Sequence, residues 1–281
     1  MAWIFLAPAL ILVFGVTFLP IVRGVEVSLY KTEFLKQVAF VGFDQYIKFF
    51  TEGQAGEIIL RTLIFTAGSL VLTFPIAVGL ALLLNVKMRF RAVMRTIFML
   101  PWIVSVLLTA LMWVWLVEPS VGPISYIVSS LIGQPFVPLG SGPTAMATLI
   151  VANAWRTYPF VMILTLAALQ SVSKELLEAA AVDGAGRVKR FMHVTLPSIR
   201  GSLLVSLIIS TVNSINMVEL PLVMTGGGPV SSTELLGLSA YREAFVLNDF
   251  GFSAAIGVVM FAINIVIAIV YIRVMRTESE L

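Results

Sequence analysis

The sequence predicts an all-α membrane protein with six transmembrane helices. The first observation is composition: 59% of the 281 residues are hydrophobic, 12% are charged, and the mean hydropathy is +1.02. A soluble domain of this size could not bury so much apolar surface. The second is length, because six apolar stretches each reach the roughly 20 residues that a helix needs to cross a bilayer. They cover residues 3–22, 62–84, 96–117, 144–169, 201–222 and 251–272.

The first stretch, residues 3–22, is interpreted as an anchor. It lacks the basic region before its apolar core and the small-residue cleavage site after it that mark a signal peptide. The connector at residues 118–143 is rich in Pro and Gly, which predicts a short segment there that does not span the membrane. The whole chain, residues 1–281, is expected to form one transmembrane domain, and six spans place both termini on the same side.

Positive charge predicts which side that is. Residues 85–95 carry four Lys and Arg and no acidic residue, whereas residues 118–143 carry no Lys or Arg. Lys and Arg concentrate in the short cytoplasmic loops of membrane proteins. We therefore expect both termini to be cytoplasmic, together with the connector at residues 174–200.

That connector is the most polar part of a hydrophobic chain, and its sequence is KELLEAAAVDGAGRVKRFMHVTLPSIR. Glu, Leu and Ala favour a helix over residues 174–182, which Ser173 can cap and Gly184 can end. It is larger than two membrane helices need, which indicates docking of a partner outside the membrane. The alternative is an amphipathic helix lying on the lipid surface.

The rest of the connector predicts a return into the membrane. A second short helix is expected over residues 187–193. Pro197 is expected to stop this run, because proline lacks a backbone donor and clashes with the preceding turn. Gly201 is then expected to open the fifth span.

A spaced motif within the connector carries a family resemblance. Glu178-Ala179-Ala180, Gly184 and Val194-Thr195-Leu196-Pro197 match the pattern EAA-x3-G-x9-I-x-LP, with Val194 in place of Ile. This resembles the cytoplasmic motif of permease subunits of binding-protein-dependent ABC importers. Four further segments resemble the carbohydrate branch, in particular the first of the paired permeases of maltose and glycerol-3-phosphate systems. They are APALILVFGVTFLPIV, FVGFDQYIKFF, NAWRTYPFVMILTLAALQSV and VMTGGGPVSSTELL.

The resemblance implies the type I ABC importer permease fold and a coupling helix seated in a cleft of an ATPase subunit. The residues it assigns to this coupling are Glu178, Ala179, Ala180, Asp183, Gly184, Leu196 and Pro197. It also implies a second homologous permease, two ATPase subunits, an extracytoplasmic binding protein and membrane lipid as partners, in a bacterial or archaeal cytoplasmic membrane. The outer segments 26–61 and 223–250 are expected to receive the binding protein.

The chain itself has no G-x-x-x-x-G-K-[ST] phosphate loop. We therefore expect ATP and Mg²⁺ to bind the partner ATPases and no cofactor to bind this chain. It has no nucleophile–base set for catalysis, a single His and no Cys to build a metal site. A net charge of +3 follows from topology, and nucleic acid is not expected as a partner.

Polar residues inside the spans are candidates for the translocation pathway. Arg156 lies near the middle of the fourth span, where an ionisable side chain marks function by default. Aromatic neighbours suit sugar recognition. The candidates are Trp155, Arg156, Tyr158, Ser210, Asn213, Asn216 and Glu219. Two alternatives stay open: Arg156 can hold subunits together, and the Ser and Asn side chains can join helices.

These observations favour an ATP-driven importer of a sugar or sugar-related solute that works by alternating access. The alternative is a secondary transporter that acts without an ATPase. Such a protein would need an ion-coupling acid deep in a span, and Glu219, near the end of its span, comes closest. A membrane enzyme is a third class, and the sequence offers no reactive constellation for it.

Overall fold

The computed structural model describes residues 7, 12–52, 54–86 and 88–279, with side chains up to residue 273. A π-helical turn, Phe14–Phe18, leads into helix α1, Leu19–Val27. Residues 3–6 and 8–11 of the predicted first span, residues 3–22, lie outside the described residues. The count of six spans therefore stays a prediction.

A small hairpin follows, which the all-α prediction did not include. Strands β1, Tyr30–Glu33, and β2, Lys36–Phe40, pair antiparallel, and a short amphipathic helix, α2, covers Asp44–Thr51. The backbone N–H of Gly251 donates to Thr32 Oγ1 over 2.8 Å, which ties the hairpin to the start of the last helix.

Helix α3, Ala55–Asn85, is 31 residues long and extends the predicted span 62–84 at its N-terminal side. One face of this helix buries small polar residues. Small residues allow helices to approach each other closely in membranes. These are Thr62, Thr66, Ser69 and Thr73.

The predicted third span, residues 96–117, is not one straight helix. Helix α4, Arg91–Ile103, and helix α5, Val106–Leu116, meet at an angle of 96°. Pro101 weakens the end of α4 by removing a backbone donor, and Ser105 starts α5 anew by accepting the Leu108 N–H over 3.3 Å. Apolar composition does not reveal such a bend.

The Pro- and Gly-rich connector contains helix α6, Pro123–Ile132, which at ten residues is too short to cross a membrane. Helix α7, Gly142–Ser171, then returns across the bundle and packs along α3. One buried cluster joins the two helices where they approach the coupling end. It includes Ala77, Ala81, Leu84, Val161, Met162 and Leu166.

The polar connector begins with helix α8, Lys174–Val182, as the residue pattern predicted. Helix α9, Arg187–Arg190, a π-helical turn, Phe191–Thr195, and helix α10, Leu196–Ile215, then form one continuous helical run. The predicted stop at Pro197 and start at Gly201 are therefore wrong.

The π turn explains why Pro197 does not break the run. The N–H of Leu196 donates to Phe191 O, five residues back, so the turn is wider than an α-helical one. A wider turn makes room for the proline ring, and Pro197 sits in the first turn of α10, where its missing donor costs little.

The fifth span also ends earlier than predicted, because α10 ends at Ile215 and a separate helix, α11, covers Glu219–Met224. Helix α12, Leu236–Phe245, precedes the last spanning helix, α13, Phe250–Ser279. Four helices in the described residues are long and apolar enough to span a membrane, and the bent pair α4–α5 makes a fifth if counted as one span.

Candidate functional site

Helix α8 is fixed in length by a cap at each end. The Glu175 N–H donates to Ser173 Oγ over 3.1 Å at its start. At its end Gly184 adopts φ +78°, and the N–H of Ala185 reaches Ala180 O over 2.9 Å. This is a Schellman motif, which requires a residue in the left-handed conformation, and only glycine adopts that conformation without strain.

Nearly the whole surface of helix α8 is exposed. It contains no buried residue, Glu178 and Ala179 are exposed, and Val182 is 88% exposed. Its main contacts are with the helical turns that follow it, from Arg187 to Thr195. An amphipathic helix without an apolar seat in its own chain is expected to find one on a partner or at the membrane surface.

The remaining coupling candidates lie close by. Asp183 is the exposed C-terminal cap residue of α8 and donates its N–H to Ala179 O over 3.0 Å. Leu196 and Pro197 line a groove where the helical run approaches the membrane. Its other lining residues are Met192, Arg200, Leu203 and Leu204. The structure therefore brings the seven predicted coupling residues to one end of the bundle.

A polar cavity lies halfway along the bundle, between α4, α7 and α10. Its volume is about 140 Å³, and it is lined by Trp102, Arg156, Thr157, Phe160, Ile209 and Asn213. Trp102 and Phe160 stack with their ring centroids 6.0 Å apart. Two of the predicted pathway residues, Arg156 and Asn213, thus share one cavity with a pair of aromatic rings.

The guanidinium of Arg156 can donate further hydrogen bonds to a bound group. Its Nε is buried and has no hydrogen-bond partner among the described residues. The carboxylate of Glu219 lies within electrostatic range of the guanidinium. A half-buried guanidinium with an unpartnered Nε–H and one acid nearby can donate hydrogen bonds to an oxygen-rich group.

The other predicted pathway residues lie elsewhere. Trp155 packs edge-on against Trp113, with centroids 6.2 Å apart, inside an apolar cluster. Tyr158 packs against the cluster that joins α3 and α7. Ser210 is buried and its Oγ has no hydrogen-bond partner among the described residues. Their helical phase turns these three side chains away from the cavity.

Asn216 joins helices, as one alternative for the polar stripe proposed. Its Nδ2 donates to Val212 O over 2.8 Å, and its Oδ1 accepts from Asn264 Nδ2 over 3.4 Å. A pair that the sequence analysis did not identify does the same inside the bundle, where Asn153 Nδ2 donates to Ser214 Oγ over 3.2 Å. Asn153 could have been found as an amide in an apolar run.

The opposite end of the bundle carries a compact connector, residues 225–249. Glu234 is buried and pairs with Arg242 Nη1, while Arg242 Nη2 donates to Gly226 O. Burial raises the pKa of Glu234, and the charges of Arg242 and Arg61 oppose this rise. This connector also contains a cis Gly228–Pro229 peptide.

Spanning helices, a polar cavity midway along them and an exposed pair of helices at one end are typical of a membrane transport subunit. The match to known proteins makes this specific. The chain belongs to the family of binding-protein-dependent transport system inner membrane components, whose model matches residues 59–276.

Two relatives are similar over nearly the full length. The sulfoquinovosyl glycerol transport system permease protein SmoG of Agrobacterium fabrum is 30% identical, covering 99% of this chain and 91% of its own. The trehalose/maltose transport system permease protein MalF of Thermococcus litoralis is 31% identical, covering 100% of this chain and 95% of its own.

Solved structures agree on the fold. A chain of a bacterial ABC transporter for import of the acidic polysaccharide alginate superposes with a TM-score of 0.83 at 24% identity, covering 98% of this chain and 95% of that one. A chain of a bacterial alginate ABC transporter, in complex with an alginate pentasaccharide-bound periplasmic protein, gives 0.81 at 25% identity, covering 96% and 92%. The permease fold of ABC importers is thus the fold of this chain, and the chain is a transport component of the inner membrane.

Proposed function

We propose that the chain is the membrane-spanning subunit of an ATP-driven importer for a sugar or sugar-related solute. The named relatives are permeases of sulfoquinovosyl glycerol and trehalose/maltose systems, which supports a solute of this class. In this proposal residues 3–22 supply a sixth span, and both termini lie in the cytoplasm.

The exposed surface of α8 is the observation that carries the proposal. One turn of α8, from Glu178 to Ala180, offers a carboxylate and two small side chains as a docking face, and Gly184 fixes where the helix stops. Small side chains allow close approach of another backbone, and a carboxylate can pair with an arginine of the partner. We infer that this face sits in the ATPase subunit, with Asp183, Leu196 and Pro197 at its borders.

Transport follows from the connection between α8 and the membrane. Helix α8 contacts the first turns of the run from Arg187 to Ile215, and because this run is continuous, a shift of α8 reaches α10, which lines the polar cavity. The ATPase dimer, which binds ATP and Mg²⁺, drives this shift by binding one conformation of the membrane subunits more tightly. A second permease completes the cavity that Arg156 and Asn213 line here.

The binding protein is expected at the opposite end. The alginate transporter structure contains a solute-loaded periplasmic protein. We propose that such a partner contacts residues 26–61 and 223–250, which hold the hairpin, α2 and the compact connector.

Charge reversal at Glu178 tests the proposal. In the assembled importer in proteoliposomes, Glu178→Lys is expected to lower solute uptake and solute-stimulated ATP hydrolysis at least tenfold, because a charge-assisted contact becomes repulsive. Membrane insertion is expected to be unchanged, since Glu178 is exposed. Glu175→Lys, on the first turn of the same helix, is the matched control and should lose less.

Uptake and assembly at the original level in Glu178→Lys would refute docking through this face. Uptake by the chain without any ATPase would instead support a secondary transporter.

A further inference from the structure

Helix α2 carries an exposed apolar face. Phe43, the N-cap residue, Ile47 and Phe50 are each more than half exposed. Gln45 and Phe49 are buried on another side of the helix. The three exposed residues are spaced by four and three positions, which at 100° per residue places them within an arc of about 60°. Large apolar side chains gathered on one exposed arc indicate a contact surface. We call this surface the apolar arc.

The charged residues of α2 occupy a second exposed arc. Asp44, Lys48 and Glu52 follow one another at intervals of four residues, so this charged arc spans about 80° and begins about 60° from the apolar arc. Together with Lys31 and Asp249 they line a polar cavity of about 290 Å³. An apolar and a charged arc side by side are typical of a helix that lies in the plane of a membrane interface.

The buried side of α2 packs against the ends of other helices. The hydroxyls of Tyr46 and of Ser28, the C-cap residue of α1, are hydrogen-bonded over 2.6 Å. Phe49 packs edge-on against Phe252, in the first turn of α13, with ring centroids 6.2 Å apart. Helix α13 is long and apolar enough to span a membrane. Because a spanning helix enters the bilayer near its first turns, α2 lies at the level of the membrane boundary.

The hairpin before α2 has a similar surface. Strand β2 is exposed along its whole length, and Val38 and Phe40 project from one of its faces because they are two residues apart. Phe34, at the hairpin turn, is exposed and packs edge-on against Phe250, the first residue of α13, with ring centroids 5.7 Å apart. An exposed apolar edge strand is an aggregation site in water, whereas aromatic side chains concentrate where membrane meets water.

We propose that α2 lies flat in the membrane interface at the end of the bundle opposite the coupling segment, with the apolar arc inserted among the acyl chains of the nearer leaflet. Membrane lipid fits this surface because the arc is uncharged, rich in aromatic rings and level with the start of a spanning helix. The chain is an inner membrane component, so this partner is always present. The charged arc then faces water, where the binding protein of the proposed function can reach it. The lipid contact itself does not depend on that function.

Nitroxide labels on single cysteines test this placement, since the native chain contains no cysteine. Phe43→Cys, Ile47→Cys and Phe50→Cys carry the label on the apolar arc, whereas the matched controls, Asp44→Cys and Glu52→Cys, carry it on the charged arc. Each labelled chain is assembled with its partner subunits in phosphatidylcholine liposomes, without the binding protein. Power saturation then compares the collisions of each label with oxygen, which dissolves in acyl chains, and with a nickel chelate, which stays in water.

We expect oxygen, and not the nickel chelate, to reach the three labels of the apolar arc, at depths of about 5–10 Å below the headgroups. The two controls should show the reverse preference. Phe43 and Phe50 are about 10 Å apart along the helix axis, so equal depths at these two sites indicate a helix that lies flat. A depth difference of about 10 Å between them would contradict this orientation.

Two other results would overturn the lipid contact. Collisions of the nickel chelate with all five labels would place the apolar arc in water. Exclusion of both oxygen and the chelate from the apolar arc would show that a protein surface, such as that of the second permease, covers it.

The rate of thiol modification is a second, independent readout. A thiol among acyl chains stays protonated and is shielded from a reagent in water. A membrane-impermeant maleimide, present on both sides of the membrane, should therefore modify Ile47→Cys at least about tenfold more slowly than Asp44→Cys. Ile47 is exposed in the chain itself, so the bilayer must supply the protection. Equal rates at the two sites would overturn the proposal.

Discussion

The coupling segment, residues 174–200, and the compact connector, residues 225–249, are both links between membrane helices, yet they are built in opposite ways. In the coupling segment α8 buries no residue. In the compact connector every residue from Thr233 to Ser239 is buried, and Leu238 is fully so. The first leaves α8 exposed for a partner, whereas the second buries the stretch from Thr233 to Ser239 within its own chain. Substitutions should therefore act on coupling in one and on stability in the other.

The largest effect is expected from the core of the compact connector. Leu238→Ala should lower the free energy of unfolding by about 2–5 kcal/mol, because it leaves a cavity in a fully buried site. Thermal unfolding of the purified complex measures this. Val246→Ala, at a position 64% exposed in the same connector with φ −107°, should change stability by less than about 0.5 kcal/mol. Equal losses in the two variants would contradict the comparison.

A hydrogen bond that crosses the molecule gives the next largest effect. Thr62 Oγ1 accepts the backbone N–H of Leu236 over 2.9 Å. Thr62→Val should cost about 1–3 kcal/mol, because it leaves that donor buried without a partner. Thr51→Val removes an exposed hydroxyl bonded to Ile47 O and should cost less. Hydrogen exchange of the Leu236 amide would check the assignment, and unchanged protection there would refute it.

A smaller effect of a different kind is expected in the coupling segment. Gly184→Ala forces a side chain into φ +78° and should destabilise the end of α8 by about 1–2 kcal/mol. Uptake should fall while the thermal unfolding of the complex stays the same. Gly186→Ala is the matched control, since Gly186 has φ −64° and open space around its Cβ position. Equal loss of uptake in both variants would mean that the left-handed cap is not the cause.

The smallest effect is a dependence on pH. Burial raises the pKa values of Glu234 and Glu243 above the ordinary value of about 4.3. Each group then holds its proton to higher pH in the folded state, so its stabilising contribution is full below the ordinary pKa and is lost as pH rises through the folded value. Glu234→Gln should flatten the fall in unfolding temperature over this window, while Glu175→Gln should not. An unchanged slope in Glu234→Gln would contradict the assignment.

The ends of the coupling helix α8 could be predicted from sequence because the residues that cap a helix lie next to it in the chain. Ser173 and Gly184 predict the two ends of α8, and both cap it in the structure. Pro197 was misjudged because a π turn before it removes the clash that normally ends a helix. Such turns leave no composition signal of their own.

Features that depend on distant contacts could not be predicted. The bend between α4 and α5 lies in a run that is apolar throughout, so hydropathy extends across it. Trp155 and Tyr158 flank Arg156 in sequence, but their positions on α7 turn them toward apolar clusters. The bond from Leu236 to Thr62 joins residues 174 positions apart and has no local trace.

Labelling of a single cysteine tests the central claim most directly, since the native chain contains none. Val182→Cys places a thiol at the exposed end of α8, and Val230→Cys places one in the compact connector. We predict that a membrane-impermeant maleimide reaches Val182→Cys from the cytoplasmic face of the membrane alone, and that assembly with the ATPase subunits protects it. Val230→Cys should react from the outer face whether or not the ATPase is present. Labelling of Val182→Cys from outside, or at the same rate with and without the ATPase, would contradict the coupling role of this segment.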